Sequence, residues 1–216
     1  PTPETYCGNV SSVGPRACYD ESKRLAETLS LVYHDRFGIP VKIVRPFNVY
    51  GPGMKPHDRR VVPMFAHETL RGGTLPVHGD GHQTRTFCYI TDALTGFLKI
   101  LLSGRPGEVY NIGNDEQEIG MNNLAHLFVE IGGTGARVET IPYPSAYPAG
   151  EPQRRCPDLT KARTELQYRP AVSLREGIFR FLQWASQEPL YVAKEIGVPS
   201  VASEARVAEP MSGVRP

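Results

Sequence analysis

Short β-branched runs alternate with amphipathic stretches along most of this chain, and that alternation leaves few folds open. Residues 41–45, 75–78, 86–89, 108–112 and 138–141 read as strands. Residues 19–37, 61–70, 92–102, 121–131 and 173–187 read as helices. In the first helix Leu25, Leu29 and Val32 recur at helical spacing, and Gly38-Ile39-Pro40 ends it. The helix from Asp92 carries Leu94, Phe97, Leu98 and Leu101 on one stripe, with Thr91 or Asp92 as N-cap. Ser173 with Glu176 three residues on predicts a capping box, ahead of a buried face of Leu174, Ile178, Phe181 and Leu182. Strands joined through helices run parallel, so the expected class is α/β with a parallel sheet. Residues 1–18 read as surface loop, and residues 189–216 as a mobile tail rich in Pro, Ser and Glu.

Charge and composition exclude several functions. Lys+Arg 24 against Asp+Glu 23 gives a net charge of +1, which makes no electrostatic case for nucleic acid or an anionic membrane surface. No apolar run reaches the length of a membrane-spanning helix, and no signal peptide is read at the start. Four cysteines without a C-x-x-C pair argue against zinc or a disulfide framework and suit a reducing cytoplasm. His78 and His82 flank Gly79-Asp80-Gly81, which reads as a tight turn rather than a metal site, since no third ligand is visible.

Tyr19 and Lys23 stand four residues apart at the start of the first helix and share one face, continued by the small residues Ala26 and Ser30. A lysine beside a tyrosine favours the phenolate and so suits the phenol to acid–base work, and the ammonium can also donate to the hydroxyls of a ribose. Such a pair also arises by chance, so spacing alone leaves catalysis the minority reading.

The surrounding motifs shift that balance. Gly14-Pro15-Arg16-Ala17-Cys18-Tyr19-Asp20-Glu21-Ser22-Lys23-Arg24 resembles the catalytic helix of extended short-chain dehydrogenase/reductases, and within them the UDP-glucuronate decarboxylase group. Arg45-Pro46-Phe47-Asn48-Val49-Tyr50-Gly51-Pro52-Gly53 is similar to that superfamily's loop after the sixth strand. Arg59-Arg60-Val61-Val62-Pro63, Asp80-Gly81-His82-Gln83-Thr84-Arg85-Thr86-Phe87 and Gln153-Arg154-Arg155-Cys156-Pro157-Asp158 resemble three further signatures. The chain departs from the group at His78, Val49 and Pro63, where tyrosine, threonine and serine are common.

This resemblance implies the C-terminal part of a Rossmann-type doubly wound parallel sheet over residues 1–50, and a smaller α/β substrate-binding region over 51–188. It implies NAD as cofactor, with Tyr19 as the acid–base residue, Lys23 on the nicotinamide ribose, and Pro46 and Val49 beside the nicotinamide. On the substrate side it implies Tyr33, Asn48, Arg60, Val62, His78, Arg85 and Arg155, with Arg85 also catalytic, near the reacting carboxylate. Guanidinium suits those arginine roles because its planar fork matches phosphate and carboxylate oxygens. Partners implied are a UDP-sugar and a second copy of the chain, met through the Tyr19 helix.

A glycine-rich strand–turn–helix for the pyrophosphate does not occur in these 216 residues. The chain is therefore read as the C-terminal portion of a longer enzyme, expected neither to hold NAD tightly nor to turn over by itself. UDP-glucuronate decarboxylase is the leading expectation. A 4-epimerase or 4,6-dehydratase and a non-catalytic nucleotide-sugar-binding module are the alternatives.

Overall fold

The computed structural model describes residues 1–9, 11–14, 17–58, 60–143 and 153–192. In chain order the first elements are helix α1 (Ala17–Phe37), strands β1 (Ile43–Pro46) and β2 (Val49–Tyr50), and helix α2 (Val61–Leu70). Strands β3 (Thr74–His78), β4 (Thr84–Arg85) and β5 (Cys88–Tyr89) and helix α3 (Ile90–Ser103) follow. Next come strands β6 (Val109–Ile112) and β7 (Ile119–Gly120), helix α4 (Met121–Gly132) and strand β8 (Arg137–Ile141). Strand β9 (Arg154–Arg155) precedes helices α5 (Thr160–Leu166), α6 (Leu174–Ala185) and α7 (Pro189–Val192).

Chain ends of the helices follow local chemistry. Gly38, at φ 67°, takes the left-handed position after α1 and donates to the His34 carbonyl at 2.9 Å, while His34 and Arg36 complement the helix dipole. The Ser173 side chain accepts from the Glu176 amide at the start of α6, and Leu174, Ile178, Phe181 and Leu182 are buried beneath it, as the capping box predicts. One helix expectation is corrected. Tyr89, not Thr91 or Asp92, is the N-cap of α3; Asp92 lies in the first turn and accepts from the amides of Ala171 and Val172. On the same helix Leu94, Leu98 and Leu101 are at least half exposed, and Ala93, Gly96 and Ile100 face inward instead.

Pairing is mostly parallel. β1 runs beside β6 with Ile43 opposite Val109, and β3 beside β8 with Thr74 opposite Arg137. A three-stranded sheet in the order β7-β4-β9 sets Arg85 opposite Arg155. Two apolar clusters result. The larger gathers Phe65, Leu75, Leu124, Phe128, Ile178 and Phe181 between α2, α4, α6 and the β3–β8 pair. The smaller holds Tyr110, Ile112, Leu159 and Tyr168 where α3 and α5 cover β1 and β6. The expected tail is corrected over its first four residues: 189–192 form α7, and Tyr191 is 1% exposed. Residues 193–216 of that tail lie outside the described residues. No helix among the described residues is long and apolar enough to cross a membrane.

Candidate active site

α1 has no buried residue over its 21 positions, so it presents its faces rather than packing one away. Tyr19 is 60% exposed, and the Lys23 ammonium sits 5.6 Å from the centroid of its ring. Both line an open cleft of about 1060 Å³, with Ala26 and Ser30 further along the same face. Pro46 and Phe47, where β1 ends, form a second wall, and Arg155 reaches the cleft from β9. Lys23 makes no ion pair among the described residues, so its charge is available to a ligand. A phenol, an unpaired ammonium and small side chains on one open face fit the nicotinamide-ribose end of NAD.

Other expected site residues lie elsewhere or are already engaged. The Asn48 side-chain amide donates to the Thr86 carbonyl at 2.7 Å, holding a backbone with φ 42° between β1 and β2. Val49 pairs with Cys88 across β2 and β5 and does not line the cleft. Arg60 caps the start of α2 and is paired with Asp58 at 2.5 Å. Arg85 is 7% exposed, and its guanidinium donates to the carbonyls of Thr84 and Gln153, so it binds strand β4 to the chain entering β9. Val62 is 2% exposed and belongs to the larger core, which withdraws its side chain from a ligand and corrects that expectation. Tyr33 packs against Phe37, with ring centroids 5.4 Å apart, outside the cleft lining. His78, at the end of β3, stacks on Tyr143 at 5.8 Å and 20°. Gly79 and Gly81, both at φ 69°, make the turn that follows, with the His82 amide donating to Asp80. No group of three or more His, Cys, Asp or Glu able to hold a metal occurs among the described residues.

Two features escaped the sequence reading. Residues of the first nine, including Tyr6 and Asn9, help line the cleft although their composition reads as plain loop. Glu27 also lines it and accepts both Nε and Nη2 of Arg45, at 2.7 and 2.6 Å. Its position, four residues beyond Lys23 and eight beyond Tyr19, was the available signal. Arg154, beside Arg155, is bound by Glu118, whose carboxyl that guanidinium pulls down to about 2, with help from the Thr84 hydroxyl.

The tyrosine–lysine helix, the end of a parallel strand pair and the arginine-bearing β9 line one cleft of a Rossmann-type α/β fold. Residues 2–113 match the model of the NAD dependent epimerase/dehydratase family, and the chain belongs to that family. It is 42% identical over 182 residues to UDP-glucuronic acid decarboxylase 1 of Arabidopsis thaliana, covering 84% of this chain and 40% of that protein. Among solved structures it is similar to a UDP-glucose 4-epimerase of Thermotoga maritima with UDP-glucose, at TM-score 0.75 and 30% identity, covering 85% of this chain and 56% of that one. A dTDP-glucose 4,6-dehydratase of Streptomyces venezuelae with NAD gives TM-score 0.73 and 30% identity, covering 87% and 55%. The chain thus spans about half the length of the relatives it matches.

Proposed function

We propose that this chain supplies the tyrosine–lysine pair and the nucleotide-sugar side of an NAD-dependent enzyme acting at C4 of a UDP-sugar, with UDP-glucuronate decarboxylation to UDP-xylose as its reaction. The observation that carries the proposal is the Tyr19–Lys23 pair on a cleft that also receives Arg155. The 42% identity to a UDP-glucuronic acid decarboxylase supports the choice of substrate.

NAD, when bound, supplies a reversible acceptor for the hydride at C4. The protein's part is acid–base and positional. Tyr19 takes the proton of the C4 hydroxyl through its phenolic oxygen as the C4–H bond breaks. Lys23 donates to ribose hydroxyls and keeps a positive charge beside the ring. Arg155, which lines the cleft, faces the diphosphate. The 4-keto sugar is a β-keto acid, so the electrons of its C5–carboxylate bond pass into the ketone as CO₂ leaves. Arg85 holds the strand that carries this side of the cleft in place. The enolate left behind takes a proton at C5 from water, and Tyr19 then returns its proton to the C4 oxygen as the hydride comes back to C4.

The same reading puts a cofactor-binding half against the β1 edge of the cleft, where β1 pairs only with β6 among the described residues. It places a second copy on the stripe of Leu25, Leu29 and Val32, each at least 47% exposed on α1. The free thiols of all four cysteines suit a cytoplasmic enzyme.

The test is the full-length enzyme with UDP-glucuronate, following CO₂ and UDP-pentose. Tyr19→Phe is expected to lower turnover by roughly 10²–10⁴-fold, the span of general acid–base catalysis. The likeness to a 4-epimerase and a 4,6-dehydratase gives the second reading. Conversion of a UDP-hexose without CO₂ release would establish that reading and overturn decarboxylation.

A further inference from the structure

Tyr19, Lys23 and Glu27 follow one another at four-residue steps and therefore share a face of α1. A lysine and a glutamate four apart on a helix can pair, less well in this order than with the glutamate first, and that pairing would draw the Lys23 ammonium away from any ligand in the cleft. It does not form. Arg45 takes both oxygens of Glu27, Nε on Oε1 at 2.7 Å and Nη2 on Oε2 at 2.6 Å. A third donor, Nη1, reaches the Glu4 carbonyl at 2.9 Å, and the Glu4 carboxylate is itself held by the Asn111 amide at 2.8 Å. The guanidinium is thereby fixed from the β6 side, with its side chain 29% exposed and that of Glu27 28%. Planar bidentate geometry outcompetes a point-charge ammonium for the same carboxylate.

We propose that Arg45 is a positioning residue that occupies Glu27 so that Lys23 stays free for the bound cofactor. This rests on the proposed role of Lys23 at the nicotinamide ribose. A simpler role, anchoring a helix that has no buried residue, would use the same ion pair, and the two roles part company when both partners are removed.

The experiment compares the full-length enzyme with Arg45→Met, Glu27→Gln and the double variant. It reads NAD retained per protomer after gel filtration and kcat/KM with UDP-glucuronate. Arg45→Met leaves Glu27 free to capture Lys23 and is expected to lose about tenfold in both readouts, equivalent to about 1.4 kcal/mol. Adding Glu27→Gln to it is expected to restore both to within about threefold of the parent, because the competing charge is gone. A double variant as poor as Arg45→Met overturns the proposal and leaves an anchor only. Unchanged NAD retention in Arg45→Met overturns it as well. If Arg45→Met does not fold, Arg45→Lys gives the same comparison, with a partial loss that Glu27→Gln relieves. A parent enzyme that retains NAD but leaves UDP-glucuronate untouched takes down the substrate reading alone, since NAD retention still ranks the variants.

Discussion

Glu118 shows how much one surface carboxylate does when its partner is planar. Arg154 holds it through both oxygens at 2.8–3.1 Å, and its carboxyl falls to about 2. A depressed folded value means stability that is present above the unfolded value, near 4.3, and is lost as pH drops toward 2. Glu118→Gln should therefore lower the melting temperature at pH 7 and converge with the parent near pH 2. Calorimetry at the two pH values decides, and an equal gap at both would sink the assignment. Gly177 makes a steric case at the same scale, because a methyl there would overlap the Tyr50 hydroxyl. Gly177→Ala is expected to cost about 1–3 kcal/mol in chemical denaturation. Single residues were unevenly legible. Tyr19 and Lys23 shared a face by helical spacing, but it was the surrounding motifs that singled the pair out. The Glu27–Arg45 pair spans 18 positions, and no local spacing rule reaches that far. Val62 carried a motif position, but burial depends on which face of α2 meets the core, and that is a tertiary fact.

Elements were legible in proportion to their length. All the long helices and the four- and five-residue strands show periodicity, whereas β2, β4, β7 and β9 have two residues each, below one repeat of the strand pattern. α5 is a single short run between loops, and α7 escaped because its four residues open on Pro189. The α3 stripe was legible as a stripe, but periodicity does not say what lies opposite: Phe97 packs against the smaller core while Leu94, Leu98 and Leu101 are exposed. Capping was the most readable feature. Ser173→Ala is expected to remove about 1 kcal/mol of stability, measured by urea denaturation, and Ser173→Asp to retain it. α7 earns its place through Tyr191, whose hydroxyl donates to the Met54 carbonyl at 3.0 Å and whose ring meets Phe181, Trp184 and His67. Tyr191→Ala should cost about 3–5 kcal/mol by the same measurement, as for other buried aromatics, and a loss below about 1 kcal/mol would show that α7 only rests on the surface.

At the scale of the molecule, two cores differ in completeness. The larger is closed by helices on its own side, while β1 and β6 form a two-stranded sheet flanked by α3, whose Leu94, Leu98, Leu101 and Leu102 are 50–78% exposed. Contiguous apolar surface of this kind marks a contact area. The 216-residue chain expressed alone should bind a hydrophobic dye and elute above its 23.9 kDa mass, and Leu98→Glu with Leu102→Glu should reduce both. An unchanged elution would remove α3 from the contact. The α/β class was legible because alternation is a local pattern. The two-stranded pairing of β1 with β6 was not, because which strands pair is a tertiary fact. One consequence concerns how competence is judged. The Tyr19–Lys23 pair rides on α1, a helix with nothing buried, while most of the buried apolar packing lies in the larger core. The core can thus melt cooperatively whether or not α1 is seated against it. A probe placed on Tyr19 or Lys23 reports on the seating of α1, which a melting curve of the core does not.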